Sequence, residues 1–188
     1  MKKVTWVRHG PTHRSEINGW TDVPADLSDG AALDRLRNFL PEAPVVSSDL
    51  TRAVTTADAI QGARRRLDHQ PDLRELNFGL WEGVRIPDMP PADSAQLRIF
   101  FEQPGTVRAP EGESWNDLRA RVNRAVDGLL QDHDDLVLVA HMGVILTQVQ
   151  RATGKTAHAA LGQRISYLSA TQVRFDGAWH LDLVDHCP

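Results

Sequence analysis

The chain has little of several features that define common protein classes. Cys187 is its only cysteine, so no disulfide can form within the chain, and a reducing, cytoplasmic location is expected. The longest apolar stretch, residues 136–146, contains His141 and is too short to cross a bilayer. We therefore expect no membrane partner.

Positive charge does not predominate, and lysine is rare. The 21 basic residues are outnumbered by 25 acidic ones, and the net charge of −4 argues against a general nucleic-acid-binding protein. At about 150 residues per domain, the length predicts a single domain over residues 1–188. With 41% apolar residues, a chain of this size can bury a full core without a disulfide or a metal ion.

Apolar periodicity predicts alternating strands and helices. Continuous or alternating apolar runs predict strands at 4–7, 45–47, 136–140, 166–175 and 178–184, the last two joined by a hairpin turn at Asp176-Gly177. Helical spacing predicts helices over 27–40, 50–60 (with Ser48 or Asp49 as N-cap), 115–129 (with a capping box from Ser114 to Asp117), and from 144 to near Gly154. This order is typical of an α/β fold, a three-layer α/β/α sandwich with a mostly parallel sheet and an antiparallel edge.

The segment 84–112 differs from the rest of the chain. It holds five of the eleven prolines and shows no clear periodicity, so an irregular excursion is expected. Long loops in compact domains are often lids over a site. In that case Phe100, Phe101 or Met89 are candidate apolar contacts to a ligand; alternatively, the two phenylalanines anchor the lid to the core.

Unusual polar residues follow three predicted strands. Arg8 and His9 end the first strand, Arg52 lies in the first helical turn after the second, and His141 follows the third. Ligands of α/β sheets bind at the carboxyl ends of the strands, so these side chains are expected to converge on a dianion such as a phosphoryl group. Taken singly, each arginine could pair with a surface carboxylate, and each histidine could be hydrogen-bonded in the core.

A candidate proton donor lies in residues 73–83. This segment carries Glu75 and Glu82 among glycines and large aromatic side chains, which suggests a shaped turn. Cleavage of a phosphate ester requires a proton for the leaving oxygen, and a carboxyl group can supply it. Either glutamate could fill this role, or could be an ordinary surface residue.

These motifs together resemble a known family. In chain order they are Arg8-His9-Gly10, Ser47 to Ala53, Glu75 to Gly83, Glu111 to Ser114, and Ala140-His141, and the resemblance extends from about residue 3 to 185. They are similar to the histidine phosphatase superfamily, which includes phosphoglycerate mutases, fructose-2,6-bisphosphatases and α-ribazole phosphatases. The resemblance implies a phosphoglycerate mutase-like fold.

The resemblance also implies residue roles. His9 matches the nucleophile that becomes phosphohistidine, and Glu75, rather than Glu82, matches the general acid and base. The residues that match phosphate-binding positions are Arg8, Arg52, His141, Thr12 and the backbone N–H of Met142. A cationic pocket of this kind needs neither a metal ion nor a cofactor.

The sequence departs from the family pattern near the first motif. Pro11 stands where a glutamate is usual, and the loop between His9 and Gly19 is about three residues short. The usual phosphate-contacting asparagine has no clear match, although Ser15 or Asn18 could replace it. We expect these changes to affect the choice of substrate more than the chemistry.

The sequence thus predicts a phosphomonoester hydrolase acting on a small phosphorylated metabolite, either α-ribazole phosphate or a broad range of esters. A phosphoglycerate mutase is a second interpretation, less favoured because mutases of the family are longer. A third is a non-catalytic phosphate-binding module, which would need neither His9 nor Glu75. The expected partner is a small phosphate ester, and the sequence does not define an oligomeric state.

Overall fold

A computed structural model describes all residues from 1 to 188 and contains one five-stranded sheet. The strands lie in the order β2-β3-β1-β4-β5. The three strands β2, β3 and β1 are parallel, whereas β4 runs antiparallel to both β1 and β5. Their bounds are Lys2–Arg8 (β1), Val45–Ser47 (β2), Asp135–Ala140 (β3), Ala170–Phe175 (β4) and Trp179–His186 (β5).

Six α-helices and three single-turn 3-10 helices connect and cover the strands. The α-helices are Gly30–Phe39 (α1), Thr51–Ile60 (α2), Pro91–Glu102 (α3), Trp115–Asp132 (α4), Met142–Thr153 (α5) and Ala157–Leu161 (α6). The 3-10 turns are Pro71–Leu73, Gly79–Trp81 and Ile86–Asp88. None of the helices is both long and apolar enough to span a membrane.

Two apolar cores lie on opposite faces of the sheet. Side chains alternate between faces along each strand, so Leu136 and Leu138 belong to the larger core and Val137 and Val139 to the smaller one. Helices α4 and α5 pack on the larger core, and α1 and α2 on the smaller. The predicted three-layer α/β/α sandwich, with its antiparallel edge, is confirmed.

Local details differ from the prediction at the start of α2. Neither Ser48 nor Asp49 is the N-cap; the cap position is Leu50, which has no capping side chain. Instead, the carboxylate of Asp22 accepts hydrogen bonds from the amide and hydroxyl of Thr51, both at 2.7 Å. Asp49 is engaged elsewhere, since it accepts two hydrogen bonds from Arg74. The cap therefore comes from a residue distant in sequence.

The segment 84–112 is not wholly irregular, as the sequence suggested. It contains the 3-10 turn Ile86–Asp88 and the helix α3, which begins at Pro91, a residue suited to a first helical turn. Only Leu97 and Phe100 of this helix are buried, so its sequence shows no long apolar stripe. The prediction missed α3 for this reason. The fourth strand is also shorter than predicted, because residues 166–169 form a loop before β4.

Candidate active site

The carboxyl ends of β1, β2 and β3 meet at one edge of the sheet. The amide of His9 donates to the carbonyl of Ala140 at 3.0 Å, and the amide of Ser48 donates to the carbonyl of Val139 at 3.0 Å. The hydroxyl of Thr56, on α2, accepts from the amide of Gly10 at 3.0 Å. These bonds continue the parallel pairing beyond the strands and fix the loops that carry the polar side chains.

His9 is held as a neutral imidazole. Its Nδ1 lies 2.7 Å from the carbonyl oxygen of Gly10, which requires a proton on Nδ1 and leaves the lone pair on Nε2. Burial, with a contribution from the Arg52 charge, lowers the pKa of His9 to about 3. An unprotonated Nε2 is the form of histidine that can act as a nucleophile.

Gly10 must be glycine for this arrangement. A Cβ at this position would lie 2.7 Å from the Leu27 side chain and 3.0 Å from the Asp26 carbonyl oxygen. The close approach of the 26–27 segment fixes the turn after His9. Gly10 thus allows the turn to pack closely against residues 26–27. This packing fixes the orientation of His9, which precedes it.

Arg52 is almost completely buried and has no carboxylate partner. Its guanidinium donates to the carbonyls of Thr21 at 2.9 Å and Gly19 at 2.5 Å, and its Nε donates to Nδ1 of His141 at 3.2 Å. Burial lowers the pKa of Arg52, and the charges of nearby carboxylates, that of Glu75 first, oppose this effect only in part. Because the hydrogen bonds of Arg52 go only to neutral acceptors, its positive charge remains available to attract an anion.

His141 is fully buried beside His9, with ring centroids 5.1 Å apart. Because its Nδ1 accepts from Arg52, its proton belongs on Nε2, and this buried Nε2 has no hydrogen-bond partner. Burial, then the charges of neighbouring groups, hold the pKa of His141 well below its usual range. His141 is therefore a neutral donor with one unused N–H.

Glu75 is held by backbone amides. Its carboxylate accepts from the amide of Leu76 at 3.0 Å and from that of Gly143, in the first turn of α5, at 3.1 Å. A Cβ on Gly143 would lie 2.4 Å from the Glu75 carboxylate, so a larger residue there would displace this carboxylate. The loop carrying Glu75 is thus anchored to the helix that follows His141.

Glu82 has different surroundings. Its carboxylate accepts from the amides of Gly19, Trp20, Thr21 and Phe78 and from the hydroxyl of Thr21. Burial raises the pKa of Glu82, but these hydrogen bonds outweigh burial, and its pKa is lowered overall. Glu82 thus joins its own loop to residues 19–21. It does not line the cleft that contains Glu75.

The predicted residues line a common cleft of about 260 Å³. Those in its wall are Arg8, His9, Thr12, Arg52, Glu75 and Met142. His141 is not among the lining residues, but its ring is next to that of His9. Asn18 also lines the cleft, whereas Ser15 does not. Met142 is the first residue of α5, where an amide has no intrahelical partner, and its side chain reaches the wall as well.

Several residues of the cleft were not predicted. The ring of Tyr167 lies over the guanidinium of Arg8, with its centroid 3.8 Å from Cζ. The wall also includes Arg14, Glu16, Ile17, Phe78 and Ile86. Of the three apolar residues proposed from the lid, only Phe101 lines the cleft, while Phe100 and Met89 are buried in the larger core.

The Glu75 loop has two supports that the sequence did not reveal. Arg121, on α4, donates to the carbonyls of Asp72, Arg74 and Glu75 at 2.7–2.9 Å and forms a buried ion pair with Glu113. The indole of Trp20 donates to the Glu75 carbonyl at 2.8 Å. The spacing of Arg121 on a helix gave no indication of this role, since its partners in the Glu75 loop are backbone carbonyl groups.

The sequence profile of the "Histidine phosphatase superfamily (branch 1)" matches residues 4–184 of the chain. The chain belongs to the histidine phosphatase superfamily. Among its relatives, "Probable phosphoglycerate mutase GpmB" of Yersinia pestis is 30% identical over 185 residues, which cover 93% of this chain and 86% of the relative.

Solved structures of the same fold include two bacterial proteins. YhfR of Bacillus stearothermophilus matches 100% of this chain and 98% of its own, with a TM-score of 0.90 and 22% identity. The α-ribazole phosphatase of Shigella flexneri matches 98% of this chain and 96% of its own, with a TM-score of 0.84 and 21% identity. Because both structures are only 21–22% identical to this histidine phosphatase, their similarity establishes its fold and nothing further.

Proposed function

We propose that the protein is a phosphomonoester hydrolase that acts through a phosphohistidine at His9. The observation that carries this proposal is the state of His9: its Nε2 is unprotonated and buried beside Arg52, a cation without a carboxylate partner. A phosphoryl dianion would satisfy the charge, and the lone pair would attack its phosphorus. Binding alone would need the arginines and not the nucleophile.

In the first step, Nε2 of His9 attacks phosphorus and the ester P–O bond breaks. Arg8, Arg52 and the Nε2–H of His141 stabilise the negative charge on the non-bridging oxygens. Thr12 and the amide of Met142 are further candidate donors. Protonated Glu75 gives its proton to the leaving oxygen, so an alcohol departs and the nitrogen carries the phosphoryl group.

In the second step, a water molecule attacks the phosphohistidine. Glu75, now a carboxylate, accepts a proton from this water as the P–N bond breaks, and the electron pair returns to Nε2. This step releases inorganic phosphate and leaves Glu75 protonated, as it was before the first step. Because three cationic or N–H groups already surround the phosphoryl oxygens, we propose that no metal ion or cofactor takes part.

We further propose that the segment 84–112 forms a lid over the phosphate pocket and contacts the leaving group of the substrate. Ile86 and Phe101 from this segment line the cleft together with Tyr167, Phe78 and Met142. These apolar side chains beside a cationic floor suit a small metabolite with an apolar or aromatic alcohol. The α-ribazole phosphatase of similar fold supports such a substrate, and a broad range of esters fits the same wall.

A phosphoglycerate mutase is the second candidate. The relative from Yersinia pestis that carries that name supports it. A mutase must return the phosphoryl group to the substrate before water reaches the intermediate, so the two functions differ in the fate of phosphohistidine.

A product analysis tests the proposal. The purified protein, in EDTA, is incubated separately with α-ribazole phosphate, p-nitrophenyl phosphate and 3-phosphoglycerate, and inorganic phosphate and 2-phosphoglycerate are measured. We expect phosphate release that EDTA does not reduce. Formation of 2-phosphoglycerate faster than phosphate release would establish a mutase instead, and activity restored only by Mg²⁺ would contradict the metal-free mechanism.

A further inference from the structure

Arg8 lacks the partners that usually hold an arginine in place. No carboxylate pairs with it, its Nε is buried without a hydrogen-bond partner, and a single side-chain bond joins Nη1 to the carbonyl of Ile165 at 2.6 Å. A flexible side chain with one hydrogen bond retains considerable freedom. A phosphoryl group, however, requires a guanidinium of fixed orientation for bidentate contact.

The missing restraint comes from Tyr167, the only tyrosine of the chain. Its ring centroid lies 3.8 Å from Cζ of the guanidinium and 5.6 Å from the centroid of the His9 ring, and Tyr167 lines the cleft. An aromatic face attracts a guanidinium through its quadrupole. A carboxylate in the same place would neutralise the charge that must attract the substrate, whereas a neutral ring leaves that charge intact.

The loop that carries Tyr167 also holds the backbone of Arg8. The amide of Leu168 donates to the Arg8 carbonyl at 3.0 Å, and the amide of Arg8 donates to the Ser169 carbonyl at 3.2 Å. Leu168 has a φ of 56°, a conformation that costs energy for a residue with a branched side chain and persists only where its surroundings impose it. Residues 165–169 thus enclose Arg8 on both its backbone and its side chain.

The same loop is fixed in turn by the C-terminal hairpin. The carboxylate of Asp185, at the end of β5, accepts hydrogen bonds from the amide and the hydroxyl of Ser166. The amide of Asp185 donates to the hydroxyl of Thr171 on β4 at 3.3 Å. The position of Tyr167 is therefore set by the β4–β5 pair. This pair lies outside the five motifs that carry the family resemblance.

We propose that Tyr167 is a positioning residue: its ring holds the Arg8 guanidinium in the orientation that receives the phosphoryl group. This inference rests on the proposed function, because it presupposes a phosphate group in the cleft. It assigns the role to the aromatic face and not to the hydroxyl. Tyr167→Phe should therefore preserve the effect, while Tyr167→Ala and Tyr167→Leu should both remove it.

The experiment measures kcat, KM and the inhibition constant of inorganic phosphate for the full-length protein and these three variants, with p-nitrophenyl phosphate as substrate. We expect Tyr167→Ala and Tyr167→Leu to weaken phosphate binding and lower kcat/KM by about threefold to thirtyfold, the range for a cation–π contact. Tyr167→Phe should stay within about twofold of the wild type. Phe175→Ala, an exposed aromatic of the same hairpin, serves as the control and should leave phosphate inhibition unchanged.

A double-mutant cycle separates positioning from a direct role. In an Arg8→Ala background, Tyr167→Ala should have little further effect on phosphate inhibition, since the group it orients is gone. Equal effects of Tyr167→Ala with and without Arg8 would overturn the inference, as would a loss in Tyr167→Phe. If the wild type is active and inhibited by phosphate but Tyr167→Ala equals it, this inference fails alone; a wild type without phosphatase activity refutes the proposed function itself.

Discussion

The floor and the rim of the cleft differ in how they are held. The floor consists of Arg8, His9, Arg52 and His141, and the rim consists of Ile86, Phe101, Met142 and Tyr167. His9, Arg52 and His141 are at most 6% exposed, whereas the four rim side chains are 38–55% exposed. Backbone carbonyls and neighbouring rings fix the floor groups, while much of each rim side chain faces solvent.

This difference separates two tasks. A phosphoryl group is the same in every ester, so the groups that bind it can be buried and rigid. The alcohol varies from one ester to another, and discrimination among alcohols must come from contacts remote from phosphorus. Changes in the floor should therefore affect all substrates, and changes at Ile86, Phe101 and Met142 should affect some substrates more than others. Tyr167 is the exception in the rim: because its ring also holds Arg8, its loss should affect all substrates.

The largest effect is expected for the nucleophile. His9→Gln should lower kcat by about 10³-fold or more for every ester, because no other group can form the covalent intermediate. His13→Gln is the matched control: His13 lies in the same loop, pairs with Asp26 at 2.8 Å and is absent from the cleft wall. Steady-state rates of both variants check this expectation, and substantial activity in His9→Gln would refute it.

Glu75→Gln should have the next largest effect, and it should depend on the leaving group. Proton donation is worth about 10²–10⁴-fold, so alkyl phosphates should slow by that order and p-nitrophenyl phosphate, whose leaving group needs little protonation, much less. Glu82→Gln is the comparison, since its loss of loop contacts should lower stability by about 1–3 kcal/mol without this selectivity. Equal losses on both substrates would argue against Glu75 as the acid.

The buried histidines should also make the folded protein sensitive to acid. In the unfolded chain a histidine gains a proton below pH 6.5, but folded His9 stays neutral to a pKa of about 3. The unfolded state therefore binds more protons in this window, and the free energy of unfolding falls by about 1.4 kcal/mol per pH unit for His9 as pH decreases.

His9→Gln should remove this contribution. Chemical denaturation at pH 7 and pH 5 should show a smaller loss of stability for this variant than for the wild type, by about 2 kcal/mol. His13→Gln, with its histidine exposed, again provides the control. An identical loss in wild type and His9→Gln would show that His9 is not neutral in the folded protein.

The smallest effect is expected at the rim. Phe101→Ala should lower kcat/KM for esters of apolar alcohols by about threefold to tenfold, as expected for lost burial of about one or two methylene equivalents, and leave small polar esters unchanged. Ile99→Ala, exposed on the same helix but outside the cleft, controls for effects on α3. The ratio of kcat/KM between the two ester classes is the measurement; an unchanged ratio would show that Phe101 does not contact the alcohol.

The floor of the cleft was easier to predict from the sequence than the rim. Its strands are short buried apolar runs, and parallel strands bring the residues after Val7 and Ala140 to one edge of the sheet. The chemistry of arginine and histidine at those ends follows directly. The role of Glu75 needed the family resemblance, because the contact of its carboxylate with Gly143 and that of its backbone carbonyl with Arg121 join distant segments.

The rim could not be predicted because it depends on how separate segments pack. Tyr167 precedes β4, and β4 pairs antiparallel with β1 so that Ala170 lies opposite Val7. That register places Tyr167 beside Arg8, but neither the strand order nor the register is visible in the residues themselves. Phe101 lies on a helix with a weak apolar pattern, so its orientation toward the cleft was equally hidden.

The most direct test of the account is the identity of the phosphoenzyme. The wild type is mixed with a phosphorus-labelled ester, quenched in base within one turnover, and the labelled peptide is sequenced. We expect a label that is stable in base, labile in acid and located on His9. The phosphoenzyme should form and decay at rates no slower than kcat. A label on a serine or threonine, or turnover without any phosphoenzyme in the wild type, would contradict it.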